Sequence, residues 1–452
     1  MNKFCKFTIV AVALLQLFKI VEPNGLSVSL GIVSLLLFLT GFPTQGKSFQ
    51  KMTLFFLACG AFLLWNYHLP LSIWLDSFIS MTNVIAIIVV MQLFTLPISL
   101  GKYSDTIEYW LKKSFRKESG LFLFATLITH AFSSFLLFGT VPVMVALFSK
   151  AFKNTISDYP RFLSAAIVRG YAMALLWAPG AVIMLLVLQV TGASWFSLFL
   201  PSVLLSILGL TTAYVLEHFS GLNRPLTISA QQAAPSATKQ TALRQSVHIA
   251  AVVLGLIGLI ALFELGNIGA GSGRILLAGL TVSGIWLLSF WRQTGFRDAL
   301  RTYWESGVTK AVDLSVFFLA MGFFAGAVEK SNILGQLQPL LQIYITQFGL
   351  LALLVIPCVF VLLAVVGILP FILVVLFGKV LMALSLPLSP VGISLLLLLS
   401  SAISFIASPF AGMVLMTAKF LQVKNFDVAW RWNGLYSLIF FLEGLLFICL
   451  WP

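Results

Sequence analysis

Long stretches of the chain are apolar on every face, and short loops holding most of the charge divide them. A helix needs roughly 17–25 apolar residues to cross a bilayer, whereas membrane-barrel strands would read as alternating segments of about 10 residues. The pattern predicts an all-α polytopic membrane protein with spans near 7–21, 26–42, 52–66, 77–97, 195–216, 246–265, 274–291, 313–328 and 434–451. Four other apolar stretches are broken by Gly and Pro. One in each half carries Gly139-Thr140-Val141-Pro142 or Gly367-Ile368-Leu369-Pro370, and a second follows, broken at Ala178-Pro179-Gly180 or at Ser408-Pro409-Phe410-Ala411-Gly412. Lipid cannot pair the N–H and C=O groups of irregular backbone, so such backbone survives only packed in protein or lining a watery cavity. Matching interruptions in two halves point to a transport site.

Composition excludes a water-soluble globule, with 60% of the 452 residues hydrophobic and 9% charged. A net charge of +13 would suggest nucleic acid or an anionic surface if it were clustered. With Lys3 and Lys6 taken as cytoplasmic, 21 of the 27 Lys and Arg fall in loops on that one side. That is the positive-inside pattern, so the charge encodes topology and nucleic acid drops out as a partner. The same rule shapes the interrupted stretches. Basic residues flank 120–149 at both ends (Lys112 to Lys117, then Lys150, Lys153 and Arg161), so this stretch enters and leaves on one side as a re-entrant hairpin. The stretch 348–386 does the same from the other side, and 162–190 and 390–422 cross as broken helices. Each half then makes an odd number of crossings. The segments 26–216 and 246–452 are therefore predicted to be inverted repeats within about 11 crossings of the cell (inner) membrane, N-terminus cytoplasmic and C-terminus outside.

Residues 1–25 read as a leading signal-anchor helix, although Lys3, Lys6 and Ala11-Val12-Ala13 also fit a cleaved signal. The polar segment 217–245 reads as a cytoplasmic linker. The basic stretches 102–118 and 292–310 place Tyr109, Trp110, Tyr303 and Trp304 among charges, as interfacial helices do. Cys5, Cys59, Cys358 and Cys449 are dispersed, which predicts neither a disulfide framework nor a metal site.

The chemistry expected at the interruptions is electrostatic. Half-helix N-termini present unpaired N–H groups and the positive end of the helix dipole to an anion, while exposed carbonyls and hydroxyls serve a cation. Candidate residues are Ser133, Ser134, Gly139, Thr140 and Pro142 at the first hairpin, and Ala178, Pro179 and Gly180 at the first break, with Trp177 as a wall. In the second half they are Gly367, Pro370, Ser404, Ser408, Pro409 and Gly412. The alternative for each cluster is a kinked span without a ligand.

A hairpin entering from each side, each followed by a discontinuous helix, resembles the ion transporter superfamily. That superfamily includes divalent anion–sodium symporters, citrate and arsenite transporters and the large membrane subunits of dicarboxylate carriers. The resemblance covers about 26–451 and is architectural. The Ser-Asn-Thr tips of the sodium–dicarboxylate members are replaced by Ser133-Ser134 ahead of Gly139-Thr140, and by Val365-Val366-Gly367-Ile368. It implies alternating access by an elevator-like or rocking motion, and a homodimer.

Ionisable residues inside spans cost at least about 2.5–3.5 kcal/mol each at the helix centre and so need a reason. Arg169 lies ten residues before Pro179 and is a candidate partner for a substrate carboxylate, with an acidic partner or snorkelling as alternatives. His130 is placed to carry a proton or to hydrogen-bond between helices. Asp313 could bind a coupling cation or cap a helix. The reading is a non-enzymatic secondary transporter of a small anion, without cofactor and with Na+ or H+ as coupling ion. A membrane flippase or enzyme acting on lipid-linked substrates is the alternative.

Overall fold

A computed structural model describes residues 3–21, 26–101, 103, 105–106, 109–110, 115, 117–136, 140–152, 156–219, 238–348, 352–384 and 386–450. The described residues are helices joined by turns. The first half contains α1 (Lys3–Val21), α2 (Ser27–Gly41), α3 (Lys47–Asn66), α4 (Leu71–Ile79), α5 (Thr82–Gln92) and α6 (Thr95–Leu100). It continues with α7 (Glu118–Leu136), α8 (Thr140–Phe152), α9 (Tyr159–Leu175), α10 (Val182–Thr191) and α11 (Trp195–Phe219). The second half contains α12 (Lys239–Leu265), α13 (Gly273–Leu288), α14 (Phe296–Thr302), α15 (Val308–Lys330) and α16 (Ile333–Phe348). It ends with α17 (Ala352–Val365), α18 (Pro370–Ala383), α19 (Pro390–Ala407), α20 (Gly412–Leu421) and α21 (Gly434–Cys449). The chain is an all-α polytopic membrane protein. Six helical stretches have the length and apolarity to cross a bilayer, and α8, α10, α13, α17, α18 and α21 supply shorter apolar stretches.

Both halves therefore contain a helix pair, α7–α8 or α17–α18, followed by a helix in two limbs, α9–α10 or α19–α20. The limbs of the broken helices cross-pack. The first limb of each lies against the second limb of the other, α9 on α20 and α19 on α10, as antiparallel elements must. Ser394 Oγ near the start of α19 donates to Thr191 Oγ1 at the end of α10 at 2.9 Å, which fixes that sense in one bond. The broken helices cross where the rings of Tyr171 and Phe405 meet at 5.9 Å, each within two turns of its break. This pair is central: in the most apolar 18 residues of the 390–421 stretch 89% are buried, whereas in those of 239–265 only 11% are, and that helix lies at the periphery. A second group of helices packs α15 against α2 to α5, and α13 against α5 and α12. In the same group α1 lies on α2 and α5, with Cys5, Ile9 and Val12 buried.

Several sequence expectations need correcting. The span expected over 77–97 is three helices, α4 to α6, interrupted at Ser80-Met81 and at Leu93-Phe94. The interfacial segment expected over 292–310 is no separate arm, because α14 runs through a π-helical turn at Tyr303–Gly307 directly into α15. Lys6 Nζ holds this turn by donating to the carbonyls of Trp304 (2.9 Å) and Glu305 (3.2 Å). The segment after Lys330, for which the sequence predicted no element, contains α16. The linker is helical at both ends, through Phe219 and from Lys239, and 220–237 lies outside the described residues.

Close helix approach holds the first hairpin to its broken helix. A Cβ on Gly170 would sit 2.5 Å from the Thr126 carbonyl oxygen and 2.9 Å from Thr129 Cβ. Gly170→Ala should therefore lower stability by about 1–3 kcal/mol, the usual cost of overpacking. Gly284→Ala, where an added Cβ meets nothing within 4 Å, should be neutral or stabilising by up to about 1 kcal/mol. Thermal unfolding in detergent distinguishes the two, and equal effects would remove the packing argument.

Candidate functional site

The two breaks are built alike. In the first, Ala181 N–H donates to Ala178 O at 3.0 Å across Pro179-Gly180; in the second, Ala411 N–H donates to Ser408 O at 3.1 Å across Pro409-Phe410. Proline has no N–H and cannot continue the helix, so the chain turns once and restarts. The restart residues Ala181 and Ala411 are extended, and the N-termini of α10 and α20 carry no side-chain cap. The last carbonyls of the first limbs then need donors. In each half the next element supplies a tryptophan: Trp195 Nε1 donates to Trp177 O at 3.0 Å, and Trp430 Nε1 donates to Ala407 O at 2.8 Å. Trp177 and Ala407 occupy the same place, one residue before Ala178-Pro179 and Ser408-Pro409. Asn425 Nδ2 adds a bond to Pro409 O at 3.2 Å.

The second hairpin turns in a Schellman motif. Gly367 N–H reaches Ala364 O at 3.0 Å and Ile368 N–H reaches Leu363 O at 3.1 Å. Gly367 has φ +113°, a backbone state that an L side chain disfavours. Leu369 is then extended and Pro370 opens α18, whose N-terminus also lacks a side-chain cap. Gly139, at the matching place in the first hairpin, lies outside the described residues; Thr140 and Pro142 open α8.

Each hairpin is tied to its own break by a different bond. In the second half Ser408 Oγ donates to Ala364 O at 2.7 Å and accepts from Phe410 N–H at 3.3 Å. In the first, Trp177 Nε1 donates to His130 Nε2 at 2.9 Å. An accepting Nε2 leaves the proton of the neutral ring on Nδ1, which is buried and faces the Gly170 backbone. Two hydroxyls of the same hairpin, Ser133 Oγ and Thr140 Oγ1, are buried and unpartnered among the described residues, while Ser134 Oγ bonds His130 O at 3.1 Å. Unsatisfied buried polar atoms are uncommon and call for an explanation such as a ligand or water. The second-half serines are satisfied: Ser404 Oγ bonds Ser400 O at 2.7 Å, and Ser408 is engaged as described.

The structure sets two sequence candidates apart from the breaks. Arg169 is buried with its donors in use, Nε to Asn433 Oδ1 (2.8 Å) and Nη2 to Glu217 Oε1 (2.7 Å) and Trp432 O (3.0 Å). Its guanidinium also stacks 4.7 Å over the Tyr436 ring. Of the roles open to Arg169 in the sequence, the structure shows the acidic partner, and snorkelling is excluded. Glu217 completes a cluster with Arg161 Nη2 at 2.9 Å. Asp313 lies in α15 beside the α2–α3 turn, where Thr44 Oγ1 approaches its carboxylate at 3.5 Å and Gln45 Nε2 bonds its carbonyl at 2.7 Å.

An all-α membrane fold with two hairpins and two antiparallel broken helices is the class these observations define. One solved structure it overlays is that of the YdaH transporter of Alcanivorax borkumensis, reported to have an unusual topology. The two share 13% identity over 88% of this chain and 98% of that one, with a TM-score of 0.62. At that identity the likeness is one of fold. MtrF of Neisseria gonorrhoeae, from a class of antimetabolite efflux pumps, overlaps over 82% of this chain and 83% of its own at 13% identity, but its TM-score of 0.44 is too low to establish a common fold. No family model and no curated protein matches the sequence. Neither structure is named as a divalent anion–sodium symporter, so the expected membership of that superfamily is not supported by these comparisons.

Removing either indole donor should expose its carbonyl. Trp195→Phe and Trp430→Phe are each expected to cost about 1–3 kcal/mol. Arg169→Met strands a buried Glu217 and should cost about 3–5 kcal/mol, toward the lower end because Arg161 remains. The double variant Arg169→Met, Glu217→Gln should recover part of that loss. Unfolding midpoints in detergent measure all four, and a double variant no more stable than Arg169→Met would argue against the pair as the reason for the burial.

Proposed function

We propose that the chain is a secondary active transporter that moves a small anionic solute by alternating access, driven by a proton or sodium gradient. The observation that carries this reading is the pair of antiparallel broken helices, each bonded to its own hairpin and crossing at Tyr171 and Phe405. The uncapped N-termini of α10, α18 and α20 offer N–H donors and positive dipole ends to an anion. Open hydroxyls stand on the first hairpin, so Ser133 and Thr140 are assigned to recognition, and His130, bonded to Trp177, ties that hairpin to its break. In the second half Ser408 and Gly367 shape the turn. Arg169 and Asp313 stand outside the proposed site. The fold shared with a solved transporter supports the same reading.

Protein reconstituted in liposomes should accumulate at least one small carboxylate or inorganic anion when a pH or sodium gradient is imposed. No uptake under either gradient would rule the reading out. Ser133→Ala and Thr140→Ala should each raise KM by up to about tenfold, the range of one lost hydrogen bond. Ser404→Ala, whose hydroxyl serves its own helix, should leave KM unchanged.

A further inference from the structure

Two adjoining cavities lie along α12. The first, of about 660 Å³, carries the polar side chains of Gln240, Arg244, Gln245, His248 and Ser289 together with Tyr103 and Phe290. The second, of about 190 Å³, is largely apolar and runs between the first hairpin and the second helix group. Phe124, Ile128, Ala131 and Phe132 of α7 form one side, and Ile249 and Val252 of α12 form the other. Tyr103 lines both cavities, and its hydroxyl lies 3.2 Å from His248 Nδ1. The junction is a built structure. Gln245 Nε2 donates to Gly101 O at 2.9 Å, Thr106 Oγ1 donates to Gln245 Oε1, and Trp110 Nε1 donates to Ser246 Oγ at 3.1 Å. Among the described residues, no acidic side chain lines either cavity.

We infer that these cavities form one site for an anionic phospholipid, its phosphate beside Arg244 in the polar part and a stretch of acyl chain in the slot between α7 and α12. Three features select this occupant. Arg244 is exposed in this pocket near the start of α12, just ahead of the apolar run of that helix, and basic residues flanking an apolar helix are the ones that hold anionic headgroups. The slot continues from that pocket to helix faces that are apolar. A free anion would fill the first part alone and a neutral lipid would gain little from it, whereas an anionic amphiphile matches both. A chain lying in the slot touches Phe132, next to Ser133, and so wedges the first hairpin against α12.

The test is a titration of the purified full-length protein in neutral detergent, read by thermal unfolding and by native mass spectrometry of bound lipid. Phosphatidylglycerol should raise the unfolding temperature saturably and be retained as one bound lipid, whereas phosphatidylcholine and inorganic phosphate at equal concentration should not. Arg244→Gln should shift half-saturation about fivefold upward, the effect of one interfacial charge. Ala131→Trp should abolish the response by plugging the slot; Ile249→Trp plugs it from the α12 side should the first variant fail to fold. An equal response to phosphatidylcholine, a full response to phosphate alone, or an Arg244→Gln titration that superimposes on the parent would overturn the assignment.

Discussion

Every interruption in this fold depends on finding donors for carbonyls that a broken helix leaves behind. In water those groups would be hydrated; among apolar helices each must be met by the protein itself. The two breaks solve the problem identically, with one i to i+3 turn and one indole N–H from the element that follows, Trp195 in the first half and Trp430 in the second. Helix α11 and the π-helical turn Asp427–Arg431 ahead of α21 are thereby held to positions from which Trp195 and Trp430 reach back. The arrangement of each half around its break follows from that requirement.

The halves differ in what they do with their remaining polar groups. At the second hairpin Ser408 consumes its hydroxyl on Ala364 and Phe410, which closes the turn against its own break. At the first, the link runs through two side-chain rings, Trp177 and His130, and the hydroxyls of Ser133 and Thr140 are left open. Shared backbone architecture thus carries unequal chemistry, and the proposed recognition falls on one half.

The architecture was legible because the punctuation is chemical. Gly367 is needed for a positive φ, Pro370 suits the first turn of α18, and Pro179 and Pro409 cannot continue a helix, so three of the four interruptions could be placed from residue type. The fourth, at Gly139, lies outside the described residues. What escaped the sequence had no such mark. The interruption at Ser80-Met81 contains neither Gly nor Pro, and α16 was hidden because Gln336, Gln338, Gln342, Gln347 and Pro339 divide its apolar pattern. The Arg169 cluster escaped for another reason. Glu217 seemed to begin a solvated linker and Asn433 to be a loop residue, and no local rule brings either to a helix so distant in sequence. The bonds of Trp195 and Trp430 were equally hidden, since a tryptophan near a span end reads as an interfacial anchor.

The Arg169 cluster has a consequence for the order in which the chain can be assembled. Glu217 lies 48 residues beyond Arg169 and is available as soon as α11 is made, but the bonds from Asn433 and Trp432 come from 264 and 263 residues away. During synthesis the first half can neutralise its buried guanidinium alone yet cannot complete its coordination until the last helix is being delivered. The cluster acts as a latch closed from the far end of the chain. A truncated product lacking that end would keep its charge balance and lose the bonds that join its two halves around α9.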